Sequence, residues 1–188
     1  MTPQQKALVQ ATIPVLRSSG VALTSHFYQR MFQHNPELKH LFNQGQQGSG
    51  RQQQALAAAV LAYAENLDDP GVLMPVVERI AHKHVSLGIR AEHYGIVGKH
   101  LLASIQEVLG EAATPELIDA WAAAYGALAE LFIGVESALY QQATATSGGW
   151  SGWRPFRISK RVAESEVITS FYFEPLDGGP LPSFKPGQ

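Results

Sequence analysis

From Met1 to about Ala145, apolar residues recur every three or four positions, the spacing of one helix face after another. The first helix opens at Thr2-Pro3-Gln4-Gln5, where Thr2 can cap, Pro3 suits the first turn and Gln5 completes a capping box. Its pattern predicts a run to Ser18 or Ser19 and a break at Gly20, with a second helix over Val21–His34 that stops before Asn35-Pro36. A short helical turn, PELKHLF, is followed by a polar, glycine-rich loop, NQGQQGSG. RQQQALAAAVLAYAEN then favours helix strongly, and its small side chains permit close approach of a partner. Further helices are predicted from about Leu73 to Leu87, from about Ala91 to Leu109, and from Thr114-Pro115-Glu116 to about Gln142. The helical part is therefore all-α, with six main helices and one short one.

At ATATSGGWSGW, Ser, Thr and Gly replace the helix formers, which places one domain at 1–146 and a linker with a second element at 147–188. There FRISKRV and EVITSFYFEPL alternate β-branched and aromatic residues, and DGGP supplies a turn, so the stretch reads as a hairpin or the first strands of a sheet. So few strands cannot bury a core of their own.

Several polar side chains fall on the apolar stripes. In IAHKHVSLG, at about 100° per residue, His84 shares a face with Val77 and Ile80, whereas His82 lies about 200° round and faces water. Tyr28 is in line with Thr24 and Met31, Gln52 with Leu56 and Ala59, Tyr94 with Val97 and Leu101, and Glu136 with Ala129 and Phe132. Each has a structural reading beside a functional one. His84 could be a core imidazole bonded to a carbonyl, Glu136 a glutamate at the core edge, the tyrosines ordinary buried phenols and Gln52 a surface residue. A lone imidazole on an apolar wall suits haem better than zinc, which needs three or four ligands. A carboxylate-bridged di-iron bundle needs two Glu-x-x-His pairs, and only Glu37-Leu38-Lys39-His40 has that spacing.

Composition narrows the classes. The 188 residues include 14 basic and 16 acidic ones, a net charge of -2, with no dense Lys/Arg run of the kind a nucleic-acid binder carries. The run ALAAAVLAYA is too short to span a bilayer and the N-terminus lacks a signal-peptide pattern, so a soluble, cytoplasmic protein without a transmembrane segment is expected. With no cysteine, disulfides, thiolate metal sites and covalently attached haem of the CxxCH kind are excluded.

HFYQRMFQHNPELKHLFN, ERIAHKHVSLGIRAEHYGIVGKHLL and DAWAAAYGALAELFI resemble the bacterial flavohaemoglobins, and so do GGWSGWRPFR, SEVITSFYFEPLDGG and FKPGQ further on. The resemblance implies a globin fold binding haem b, followed by the opening of a ferredoxin-reductase-type FAD barrel. It implies nitric oxide dioxygenase activity, in which O2 and NO become nitrate with electrons passing from NAD(P)H through FAD to haem. By the same resemblance His84 is the proximal iron ligand, with Tyr94 and Glu136 orienting it. Tyr28 donates to the bound ligand, Phe42 wedges against the haem, Leu56 caps the distal pocket and Gln52 is the distal glutamine, Gln53 being the alternative one residue away.

The family's flavin-binding Arg-x-Tyr-Ser motif, its NAD(P) domain and any Gly-rich phosphate loop do not occur in these residues. The expectation is that this chain binds neither FAD nor NAD(P)H usefully and performs one turnover unless a separate flavin reductase supplies electrons. A non-catalytic O2/NO-binding or sensing module and an inactive remnant are the alternatives.

Overall fold

A computed structural model describes residues 1–42 and 44–183. Phe184–Gln188, which carry the FKPGQ similarity, lie outside the described residues. Packing divides the chain into two compact units, Met1–Glu136 and Ser137–Gln188.

The first unit is helical. Helix α1 spans Pro3–Ala11, with both halves of the expected capping box in place: the Gln5 amide donates to Thr2 Oγ1 at 3.1 Å, and the Thr2 amide to Gln5 Oε1 at 2.8 Å. The break after it lies at Thr12, not at Gly20, because Thr12 turns its hydroxyl onto the Val9 carbonyl and Pro14 opens the next helix. Helix α2, Ile13–His34, therefore runs straight through Gly20. That glycine is buried where a Cβ would meet the Ala57 Cβ at 3.4 Å, so it serves close helix packing.

PELKHL forms a 3-10 turn, Pro36–Leu41, and a short helix α3, Gln44–Gly48, occupies the stretch read as loop. Gln53 secures α3 from outside, donating Nε2 to Gln47 Oε1 at 3.0 Å. Gly50, at φ 74°, turns the chain into α4, Arg51–Glu65. After a 3-10 turn at Pro70–Leu73 come α5, Met74–Ser86, α6, Ala91–Leu109, and α7, Pro115–Ala145.

Helix α2 packs chiefly on α4 and then on α6. The core runs between them through Leu16, Phe27, Met31, Val60, Ile105 and Trp121. The Tyr63 hydroxyl ties α4 to α7 by donating to the Ala124 carbonyl at 2.9 Å. By length and composition α7 is apolar enough to cross a membrane, yet Trp121, Ala124, Phe132 and Glu136 on it are buried within the protein.

The second unit holds an antiparallel hairpin, β1 (Phe156–Ala163) and β2 (Thr169–Pro175), paired from Phe156↔Pro175 to Ala163↔Thr169 with an irregularity between Ile158 and Lys160. The chain reverses at 164–168, and DGGP turns it after β2 instead. Arg154 organises the base of the hairpin, pairing with both Asp177 carboxylate oxygens at 2.7 and 3.0 Å and donating to the Gly148 and Pro180 carbonyls.

Candidate functional site

Helix α5 turns Val77 and Ala81 inward, exposes His82, and brings His84 in its last turn to the wall of an apolar cavity of about 300 Å³. Phe27, Leu38, Leu56, Val60, Val97 and Phe132 contribute to its lining. Such a volume suits a cofactor rather than an ion.

Three helices converge behind His84. Its Nδ1 lies 2.7 Å from Glu136 Oε1 of α7 and 3.1 Å from the hydroxyl of Tyr94, which itself donates to Glu136 Oε1 at 2.6 Å. Glu136 is only 3 % exposed, and two donors on one oxygen offset the cost of burying it. With Nδ1 engaged, the imidazole is fixed in rotation and its Nε2 is the nitrogen available to the cavity. Phe132 packs against both rings, with centroids 5.7 Å from His84 and 6.3 Å from Tyr94.

Another part of the wall carries Tyr28 from α2 and Gln52 from α4. Burial pushes the Tyr28 hydroxyl up to about 12, against a hydrogen bond with Gln52 that acts in the opposite sense. The buried Gln52 Oε1 has no partner, so that bond runs from the Gln52 amide nitrogen to the tyrosine oxygen. Tyr28 keeps its hydroxyl proton and Gln52 keeps an acceptor for a molecule in the cavity. Gln53 is not in the lining; its side chain is occupied with Gln47. Phe42 follows the 3-10 turn and meets Tyr28 edge-on at 5.8 Å, and Leu56 lines the cavity one turn beyond Gln52.

All seven residues singled out in the sequence, Tyr28, Phe42, Gln52, Leu56, His84, Tyr94 and Glu136, thus gather at or directly behind one cavity. Lys83, His93 and Tyr125 also line it and had escaped notice. Tyr125 donates to the Tyr94 carbonyl at 2.6 Å, and its ring rests where a Cβ on Gly98 would stand, 2.5 Å from Cε1. A glycine inside an otherwise regular helix was the available signal.

Among the described residues no three His, Asp or Glu side chains gather as a metal-ion site. The donor set is one oriented imidazole facing a large apolar space, which would fit a macrocyclic cofactor that brings most of its own iron ligands.

A family model described as Globin matches residues 25–131. The chain is 68% identical over all 188 residues to a flavohemoprotein of Chromobacterium violaceum, spanning 46% of that protein. It thus covers about half the length of the curated relatives it matches. A bacterial globin from Campylobacter jejuni is 38% identical with a TM-score of 0.72, covering 74% of this chain and 99% of its own. A Malassezia yamatoensis flavohemoglobin with bound FAD and heme is 31% identical with a TM-score of 0.81, covering 96% of this chain and 47% of its own.

Proposed function

Because the chain belongs to the globin family, we propose that it holds one b-type haem in the cavity beside His84 and serves as the haem module of a nitric oxide dioxygenase. The observation that carries this reading is the imidazole fixed by Glu136 and Tyr94 at an apolar wall. When bound, haem supplies an iron that takes diatomic ligands and changes oxidation state.

His84 is the residue to hold the iron, through Nε2. Glu136 accepts from Nδ1 and makes the imidazole a stronger donor, while Tyr94 keeps the carboxylate aimed. Tyr28 would donate a hydrogen bond from its hydroxyl to a bound ligand that carries negative charge, a charge-assisted bond stronger than a neutral one. Gln52 holds the phenol oxygen and offers Oε1 to a proton-bearing partner. Phe42, Leu56 and Phe27 would exclude water, and Lys83, which also lines the cavity, would offer positive charge to an anionic substituent of the cofactor. The overall change, NO plus O2 plus one electron giving nitrate, needs an outside electron donor, and FAD with NAD(P)H in a flavin reductase is the class that fits.

The test starts with haem uptake. The His84→Ala protein should lose its Soret band and the His82→Ala protein should keep it; the reverse would overturn the assignment. Reduced protein equilibrated with O2 and mixed rapidly with NO should yield one nitrate per haem, and cycling should resume with an added flavin reductase. A binding module without turnover is the second reading, favoured by the near-complete coverage of the Campylobacter jejuni globin. No nitrate in the mixing experiment would select it.

A further inference from the structure

We propose that Thr24 is a positioning residue for this cavity, its hydroxyl tying the first turn of α4 to α2 so that Gln52 reaches Tyr28. The inference rests on the haem reading above and deepens it.

Thr24 is 1 % exposed and stands one turn before Tyr28 on α2. Its Oγ1 donates to the Gln53 carbonyl at 2.8 Å, while the Val21 carbonyl of its own helix is farther, at 3.2 Å. A buried helical threonine ordinarily returns its single proton to a carbonyl three or four residues back. Here the shorter bond crosses to the neighbouring helix. Gln53 directly follows Gln52, and its side chain is occupied as well, with Nε2 on Gln47 Oε1 at 3.0 Å. Gln53 is thus held at its carbonyl and its side-chain nitrogen, and although the Oε1 of both glutamines is buried without a partner, Gln52 is the one that lines the cavity.

Three successive turns of α2 meet α4 in this seam: Gly20 against Ala57, Thr24 against Gln53, and Tyr28 against Gln52. The first is a bare contact that permits sliding. Helices rise about 1.5 Å per residue, while hydrogen bonds tolerate only about half an ångström, so a slip of one residue would part Gln52 from Tyr28. Arg17 also pairs with Glu65 at 2.7 Å, but that pair is exposed and sits at the far end of α4 from Gln52. The Thr24 bond is the buried directional contact beside Gln52 that opposes such a slip without itself facing the cavity.

Thr24→Val keeps the shape and removes the hydroxyl; Thr24→Ser keeps the hydroxyl; Thr24→Ala provides a second hydroxyl-free variant should T24V fail to fold. In the CO complex, the C–O stretching band reads the donors around the ligand. T24V and T24A should shift and broaden that band and speed O2 release about three- to tenfold, as expected for one weakened hydrogen bond. T24S should match wild type, and in a Tyr28→Phe background T24V should add nothing. Without added haem, amide exchange in the first turns of α4 should be faster in T24V than in wild type.

An unchanged band and off-rate accompanied only by a lower Tm would overturn the proposal, as would T24S behaving like T24V or full additivity with Y28F. If the wild-type chain takes up no haem, the functional reading fails. The exchange measurement then decides on Thr24 by itself, and unchanged α4 exchange overturns it.

Discussion

A carboxylate at 3 % exposure is tolerable only where its oxygens find donors, and Glu136 finds His84 and Tyr94 on the same one. Glu136→Gln keeps the shape and weakens that acceptor. It should leave haem bound but lower the iron–histidine stretching frequency in the deoxy Raman spectrum; an unchanged frequency would make Glu136 structural only. Tyr28→Phe removes the hydroxyl that the proposed function assigns as donor to the ligand. Loss of one charge-assisted bond of about 1.5–3 kcal/mol corresponds to roughly ten- to a hundredfold faster O2 release, measurable by stopped-flow displacement with CO. The residues on apolar stripes were legible because helix periodicity alone separates His84 from His82 and aligns Tyr94 and Glu136 with buried neighbours. The choice between Gln52 and Gln53 was not, since the two adjacent glutamines differ only in which contacts the fold gives them. Tyr125 stayed hidden because the glycine inside α6 signals a close approach without telling which side chain of α7 makes it.

Helix against helix, the Tyr125 ring fits directly over Gly98. Gly98→Ala gains up to about 1 kcal/mol of helix propensity but drives a Cβ into a partly buried ring held by its bond to the Tyr94 carbonyl, which costs about 1–3 kcal/mol. The clash should win, lowering Tm and disturbing Tyr94 through its carbonyl; a raised Tm would contradict this packing. Helices α2 and α6 are joined by a polar cluster in which Arg30 lies 2.6 Å from His100 Nδ1, Asn35 accepts from Nε2, and Glu107 binds His26 and Arg30. Burial first, then the positive charges of Arg30, His34 and Lys99, hold His100 below the ordinary 6.5, with Glu107 acting against them. The unfolded chain takes up a proton that the folded one refuses. This contribution to stability is therefore complete above pH 6.5 and lost as the pH falls below it, by at most about 1.4 kcal/mol per pH unit. Glu107, lowered by its bonds to His26 and Arg30, adds stability that is present above 4.5 and lost at still lower pH. Melts at pH 7 and pH 5 should show a smaller fall in Tm for His100→Gln than for wild type; an equal fall would remove His100 from the account. The elements themselves were largely legible, with α4, α6 and both strands close to their expected spans. The misplaced break at Gly20 has a physical origin: a glycine ends a helix when its backbone must turn, and this one instead makes room for Ala57.

Considered whole, the chain couples a helical unit with its own core to a unit whose strands leave Ile158, Tyr172 and Phe173 half exposed or more. Limited proteolysis should therefore cut within 137–188 first and leave a helical fragment that retains haem; initial cleavage within α4 or α6 would contradict that ranking. The three tryptophans divide along the same line. Trp121 is 3 % exposed in the helical core, whereas Trp150 and Trp153 of the second unit reach 36 % and full exposure. Intrinsic fluorescence is consequently a two-channel thermometer. The blue-edge emission of Trp121 follows the helical core and is shielded from iodide, while the red-edge, iodide-quenchable emission of Trp153 follows the hairpin unit, so each can be melted in view of the other without a label.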